Sequence, residues 1–442
     1  MPTRLLHLSD IHFRGYGDGW DDDADYRGEL LRDIWRLVEA GGSIDGILVG
    51  GDIAWSGLPE QFEDGRKWLI ELTEICGCPL SQIWMVPGNH DVDWTFSEGD
   101  ISTQFRQQLR ACAGEDVDQT LRRRLVVDRL GDVLIRPLAN YNAFAKDWGC
   151  QTTSGEPRWT DAVLQVDGRT LRLCGLNSVL TSDRDDSKDV EGQRLLLGSR
   201  QCKIPRAGDT VHVVLCHHPP EWLRDWDRVG NYLERAHLVL FGHEHTYSAG
   251  QIAPRRSVHV FAGAVGPEPG DGCVPTFNLI TLAIVDDDVS VSIEPRIWDP
   301  GGTHFESHGE GPAQYFVALD LESATATEPI APVETVPAVA DDKRGAGPRT
   351  ATPLFDLATP LAVGATAAPS PQDLRELGFR YLTSSRANRL GIARRLGVIE
   401  ATEHDGSSEP DDLFIEILRR IRQADLIDAL AKELADGSQD VP

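Results

Sequence analysis

No apolar run in the 442 residues approaches the roughly 18 needed to cross a bilayer, so no transmembrane helix is expected. Met1 to Leu8 does not read as a secretory leader either, because the apolar stretch is short and meets Ser9-Asp10 at once. Positive charge is scarce: 43 Lys and Arg stand against 70 Asp and Glu, a net of -27. Such a chain is not expected to hold long nucleic acid by bulk charge, although a nucleic-acid substrate bound through metal ions stays open. A disulfide framework is missing too. Cys76, Cys78, Cys112, Cys150, Cys174, Cys202, Cys216 and Cys273 are scattered, and Cys76-Gly77-Cys78 is not a CxxC pair. Reduced thiols in a cytoplasmic protein are the expectation.

What is present is enough apolar residue (40%) for a sizeable core. Three regions separate by composition. Residues 1–320 hold all 11 tryptophans and nearly all the histidines, and form the first expected domain. Residues 321–370 are rich in Ala, Pro and Thr without apolar period, which reads as a flexible linker. Residues 371–442 return to helical patterning.

The first region alternates strand and helix. Leu5 to Leu8, Ile47 to Val49 and Ile83 to Val86 read as short buried strands. Between them lie an amphipathic helix over 26–40 and a second helix from Pro59 to about Cys76. This is the grammar of parallel βαβ units. Residues 97–160 are helical by pattern and read as an insertion or cap. Ala162 to Val166 and Thr170 to Cys174 flank Asp167-Gly168, a hairpin signal. Thr210 to Cys216 and Leu238 to Phe241 are further strands, and 258–262, 277–285 and 289–295 read as a meander.

The chemistry follows the strands. Their ends carry Asp10-Ile11-His12, Gly51-Asp52, Gly88-Asn89-His90-Asp91, His217-His218-Pro219-Pro220 and Gly242-His243-Glu244-His245. Strand C-terminal ends are where sites form in α/β sheets. Carboxylate and imidazole together suit divalent Mn, Fe, Zn or Co better than calcium. If Asp10 and His12 continue an extended strand, both side chains point the same way and reach one ion; the same holds for His243 and His245. Asp52 can bridge two ions, and Gly51, Gly88 and Gly242 are expected to let the backbone turn sharply beneath them.

This ordered series closely resembles the calcineurin-like metallophosphoesterase superfamily over residues 3–300. The resemblance implies an α/β fold, a four-layer α/β/β/α sandwich, with a dinuclear centre holding two divalent ions, Mn²⁺ foremost. It implies Asp10, His12 and His245 as ligands of one metal, Asn89, His217 and His243 as ligands of the other, and Asp52 as the bridge. His90 takes the place of the family's proton donor or phosphate-contacting histidine, with Asp91 orienting it. His218 and Asn177 are candidates for substrate contact or support of the ligands. One departure is Trp55, where many members carry Asp. It weakens assignment to the protein-phosphatase branch.

The implied activity is metal-dependent phosphoester hydrolysis by an ion-activated hydroxide. The Leu8 to His12 opening and the His217 to Pro220 run look most like the bacterial phosphodiesterase branch, so a nucleotide or cyclic nucleotide is the leading substrate. A nuclease of a bacterial conflict system and a phosphomonoesterase are the alternatives, and a scaffold with an inactive centre is the non-enzyme one. In the tail, Ile392-Ala393-Arg394-Arg395-Leu396-Gly397 and the later Leu/Ile stripes resemble bacterial effector-associated, death-like adaptor domains. That resemblance implies a small all-helical bundle recruiting a protein partner; self-association or a lid is the plainer reading. The acidic segment 15–25 is read as a solvated loop beside the site.

Overall fold

A computed structural model describes residues 2–15, 23–97, 100–112, 116–123, 125, 131–205, 209–252, 257–266, 272–309 and 311–319. It also describes 334–335, 392–397, 426, 429–430 and 432. The chain divides into two units, Met1–Ala338 and Val339–Pro442.

In the first unit, continuous apolar runs form strands buried on both faces. Strands β1 (Thr3–Leu8), β2 (Gly46–Val49) and β3 (Ile83–Met85) pair in parallel. Helix α1 (Ala24–Gly41) connects the first two, and α2 (Pro59–Cys76) connects the second and third. Pro59 opens α2, and Gly77 closes it in the left-handed region at φ +70°, its N–H donating to the Thr73 carbonyl at 3.0 Å. Leu30 and Ile34 of α1 and Leu69 and Leu72 of α2 pack into one apolar cluster with Leu5, Leu6 and Ile47.

The helical insertion comes next: α3 (Trp94–Ser97), α4 (Asp100–Ala111), α5 (Asp116–Arg122), α6 (Gly131–Ile135) and α7 (Ala139–Ala145). A second sheet then forms from β4 (Trp159–Val166), β5 (Arg169–Gly175), β6 (Thr210–Cys216), β7 (Leu238–Phe241), β8 (Tyr247–Ile252) and β9 (Ser257–Ala262). Short helices α8 (Ser199–Cys202) and α9 (Trp226–Leu233) lie between its strands in sequence. Strands β5, β6, β7 and β9 are parallel. Period 2 sorts their side chains. Val211, Val213, Leu215, Leu238 and Leu240 join the cluster shared with the first sheet. Val214, Cys216, Val239 and Phe241 face Val229 and Leu233 of α9. The result is a mixed α/β sandwich.

The expected meander is not one. Strand β9 stays in the second sheet, whereas β10 (Thr276–Val285) crosses to the first and pairs antiparallel with β1. Only β10 and β11 (Asp288–Asp299) form consecutive antiparallel neighbours of that set. Two further strands, β12 (His304–Ser307) and β13 (Ala313–Ala318), extend this sheet beside β11. The stretch read as linker contributes β14 (Glu334–Thr335), which pairs with Ala249 and Ser248 on the open edge of β8. An edge strand offers unpaired backbone groups, so it takes such a segment whatever its composition. Most of 371–442 lies outside the described residues, as do the linker beyond β14 and positions 16–22. Within the second unit, 392–395 form a helical turn closed at Gly397, φ +68°. None of the eight cysteines is in a disulfide. Among the described residues, no helix is long and apolar enough to cross a membrane.

Buried neutral histidines tie the second sheet together. His237 accepts the His212 N–H at Nδ1 (3.0 Å) and, through Nε2, donates to the Leu319 carbonyl (3.1 Å). Burial depresses His237, His212 and His259 to about 4. In the unfolded chain these groups titrate near 6.5, so that state binds more protons between the two values. The stability these three groups contribute is therefore complete above about pH 6.5 and is lost as pH drops toward 4. Urea unfolding of the metal-free protein should show a lower midpoint at pH 5 than at pH 7.5. An unchanged midpoint would refute this account.

Candidate metal centre

The parallel strands deliver their loops to one end of the sandwich, where backbone hydrogen bonds join them. Asp10 N–H donates to Gly51 O (3.0 Å), Gly242 N–H to His217 O (2.9 Å), and Val265 and Gly266 N–H to Ser9 and Asp10 O (3.0 and 2.9 Å). Asp10, His12, Asp52, His243 and His245 all sit at positive φ, between 53° and 71°. This overturns the expectation of extended alternation. Strand β1 ends at Leu8, and the Asp-x-His pair converges because both residues take the left-handed conformation. That conformation costs about 1–2 kcal/mol per residue and concentrates at functional sites.

The glycines act mainly by leaving room. Gly51 does turn at φ +107°, but Gly88 is extended, with φ -103° and ψ -179°. A Cβ on Gly88 would fall 2.1 Å from Asp52 Oδ1, and one on Gly242 would fall 2.1 Å from Ser9 Oγ. Any side chain at either position would displace the groups above it.

Four groups of three side chains have donor atoms within 4.8 Å of one another: Asp10, His12 and His245; His12, Asp52 and His90; Asp10, Asp52 and His217; and His217, His218 and His243. Asp52 stands between the two halves. Its Oδ1 accepts the His90 N–H at 2.7 Å, while Oδ2 lies 3.1 Å from His217 Nε2 and 3.6 Å from His12 Nε2. Asn89 Oδ1 is 3.2 Å from His217 Nε2. The imidazoles are pre-set. Nδ1 of His12, His90 and His217 meets the carbonyls of Gly266 (2.8 Å), Trp55 (2.7 Å) and Gly50 (2.8 Å). Each Nδ1 thus carries the proton, and Nε2 is the nitrogen turned to the site.

Charge balance is tight. Burial by itself would raise Asp10, but the hydrogen bond from His245 and the charge of His217 hold it far below the usual range. Burial would raise Asp52 as well, yet His217 and His90 keep it well below. Burial would lower His217, and Asp52 instead lifts it to about 9. His243 falls to about 3 through burial and the neighbouring His217.

The residues fit a cation pair. Asp10 Oδ1, His12 Nε2, Asp52 Oδ2 and His218 Nε2 are buried and make no hydrogen bond of good geometry. Buried polar atoms without partners are costly, and here they converge from separate loops. Among the described residues no cysteine joins these groups.

Two expected site residues are placed otherwise. Asp91 lies under the loops and accepts from Ala54 N–H (2.8 Å) and Gly88 N–H (2.9 Å), so the Trp55 carbonyl, not Asp91, is what meets the His90 ring nitrogen. Burial and the nearby Asp52 push Asp91 up to about 7. Asn177 is a strut: its Nδ2 donates to Thr152 Oγ1 (3.2 Å) and its Oδ1 accepts from Val179 N–H (3.0 Å). Its neighbour Ser178 holds His218 Nδ1 through Oγ at 2.9 Å.

Sequence reading gave no contact in the site to Trp222, Glu244, Trp55 or Arg14. Trp222 stands edge-on to His243, ring centroids 4.2 Å apart, and its Nε1–H donates to Glu244 at 2.6 Å. Glu244, which sits inside the His243 to His245 run, also takes Lys188 Nζ at 2.9 Å. The Trp55 ring lies 4.8 Å from that of His90, and the Arg14 guanidinium sits 3.9 Å from the indole centroid. Of the acidic segment, Asp23 is buried and 3.8 Å from Arg14 Nε.

Among known proteins, the chain is 32% identical over 92 residues to the uncharacterized metallophosphoesterase-like protein YydB of Bacillus subtilis (strain 168). The matched stretch is 21% of this chain and spans only 18% of the Bacillus protein's length. Superposition on a Vps29 variant from Entamoeba histolytica covers 71% of this chain and 99% of that one, at 11% identity and a TM-score of 0.30. For the sulfate thiohydrolase SoxB of Thermus thermophilus the values are 73%, 58%, 14% and 0.31. The family rests on sequence instead: residues 3–247 match the calcineurin-like phosphoesterase family, more than half of the chain, and the chain belongs to that family.

Proposed function

We propose that the chain is a metal-dependent phosphodiesterase acting on a small nucleotide or cyclic nucleotide. The observation that carries this reading is Asp52 Oδ2 standing between His217 and His12, among orphaned buried donors. Asp10, His12 and His245 would hold one ion, Asn89, His217 and His243 the other, and Asp52 both. Two divalent ions there, Mn²⁺ foremost, would neutralise phosphoryl oxygens and lower the pKa of a water between them. The chain's own contribution is placement. Backbone carbonyls lock the imidazoles, Ser178 holds His218, and Trp222 packs His243. His90, in its doubly protonated form, then gives the departing oxygen the proton on Nε2 and keeps Nδ1–H on the Trp55 carbonyl.

Two observations favour a small nucleotide. The net charge of -27 opposes a long polyanion. Trp55 and Trp222, both half-buried, stand beside His90 and His243 on the two sides of the histidine cluster, and a base would stack on Trp55 in place of the Arg14 guanidinium that now covers it. Base stacking is worth about 1–3 kcal/mol. Trp55→Leu should therefore raise KM for a cyclic nucleotide about tenfold or more and leave KM for bis-p-nitrophenyl phosphate within about twofold. Equal effects on both would remove the base-stacking role.

The deciding experiment compares bis-p-nitrophenyl phosphate with p-nitrophenyl phosphate after metal stripping and Mn²⁺ restoration. Faster diester hydrolysis, lost in Asp52→Asn, is the expected result. Monoester preference would replace the diesterase reading with a phosphatase. Two tightly bound ions without turnover of either ester or of cyclic nucleotides would favour the scaffold.

A further inference from the structure

Away from the histidine cluster, a cavity of about 200 Å³ opens on the second sheet. Arg158, Arg172, Lys203 and His212 line it, with Ile204 and Val214 on its apolar side. Its position follows from the strand period. Arg172 on β5 and His212 on β6 are register partners, and they alternate with Leu171, Leu173, Val211 and Val213, which belong to the core between the sheets. The cavity thus lies on the outer face, several residues upstream of the strand ends that carry His217 and Ser178.

Three features mark it as built for an anion. Arg158 is fixed in place, its Nη1 donating to the carbonyls of Gln201 (2.8 Å) and Lys203 (2.9 Å). Arg172 Nε and His212 Nε2 are buried with no hydrogen-bond partner, and His212 is only 5% exposed. No carboxylate lines the cavity among the described residues, although the chain carries a net charge of -27. Three cationic side chains without a lining acid match a dianion, and two guanidinium forks match phosphate oxygens. The volume is below the roughly 300–1,000 Å³ of pockets for larger ligands, which excludes a whole dinucleotide.

We propose that this cavity is a second ligand site, separate from the metal centre, for a small organic phosphate of about pentose-phosphate size. The phosphate lies among Arg158, Arg172 and Lys203, and His212 faces it. The carbon part rests on Ile204 and Val214. The site does not depend on the assigned activity, because none of its residues belongs to the donor groups.

The test is calorimetric titration of the full-length, metal-stripped protein with ribose 5-phosphate and, separately, with inorganic phosphate. Stripping removes the competing phosphate sites at the dinuclear centre. One saturable site per chain is expected for ribose 5-phosphate. Binding should weaken at least tenfold in Arg172→Met and in Lys203→Met and stay unchanged in Asp52→Asn. Lys203 is exposed, so Lys203→Met keeps the fold, as circular dichroism will verify. Inorganic phosphate should compete more weakly. Absence of binding, indifference to both substitutions at Arg172 and Lys203, or loss in Asp52→Asn would overturn the proposal. Equal affinity for inorganic phosphate would overturn the organic ligand.

Discussion

Asp52→Asn is expected to cut diester hydrolysis about a thousandfold and to remove at least one equivalent of metal per chain. The change is nearly isosteric. The amide oxygen of the introduced asparagine can still accept the His90 N–H that Asp52 Oδ1 takes at 2.7 Å, so the loops keep their places. What changes is the atom between the two halves of the site. In place of Oδ2, an amide NH₂ would face Nε2 of His217 and His12, which now lie 3.1 and 3.6 Å away. That group cannot donate an electron pair to a cation, and its hydrogens point at nitrogens that are themselves meant to bind one. Charge stabilisation of several kcal/mol is at stake, and each step of about 1.4 kcal/mol is a factor of ten in rate. Metal content by mass spectrometry separates this cause from simple misfolding, as does a thermal midpoint of the metal-free variant close to that of the parent. Full turnover with two ions bound would refute the bridge.

Much of this centre could be read in the sequence because buried parallel strands are continuous apolar runs, and the donor residues follow each run directly. Thr210–Cys216 and Leu238–Phe241 were visible with the bounds that the structure shows for β6 and β7. The means of convergence were not visible. Only glycine announces a positive φ in a sequence, whereas Asp10, His12 and Asp52 adopt it without such a marker. Adjacency misled at Asp91, which follows His90 but turns its carboxylate to Ala54 and Gly88. The supports of the histidines stayed hidden for another reason. Gly266, Ser178 and Trp222 reach His12, His218 and His243 across long stretches of chain, and a single sequence holds no record of such contacts. Strand β8 was missed because it begins two residues after His245, with Ser, Gly and Gln among its six residues, and gives no apolar run.

Replacing His90 by glutamine should separate proton donation from phosphate binding. The His90 backbone N–H, not its side chain, anchors Asp52, so the substitution leaves that hydrogen bond and the metal content intact. The ring is held by Nδ1–H donating to the Trp55 carbonyl at 2.7 Å, so the proton given to the leaving group is a second one, carried on Nε2 of the imidazolium. Glutamine can replace a hydrogen-bond donor but cannot give up a proton at neutral pH. General acid catalysis is worth about 10²–10⁴-fold, and its value grows as the leaving group becomes a poorer one. His90→Gln should therefore lower kcat by about 10²-fold or more on a cyclic nucleotide, whose leaving oxygen is an alkoxide. On bis-p-nitrophenyl phosphate the loss should be under about tenfold, since p-nitrophenolate departs without a proton. A plot of rate against leaving-group acidity will steepen in the variant if His90 is the acid. Parallel losses on both esters would instead make His90 a contact to the phosphoryl oxygens, with Nε2–H donating to them throughout the reaction.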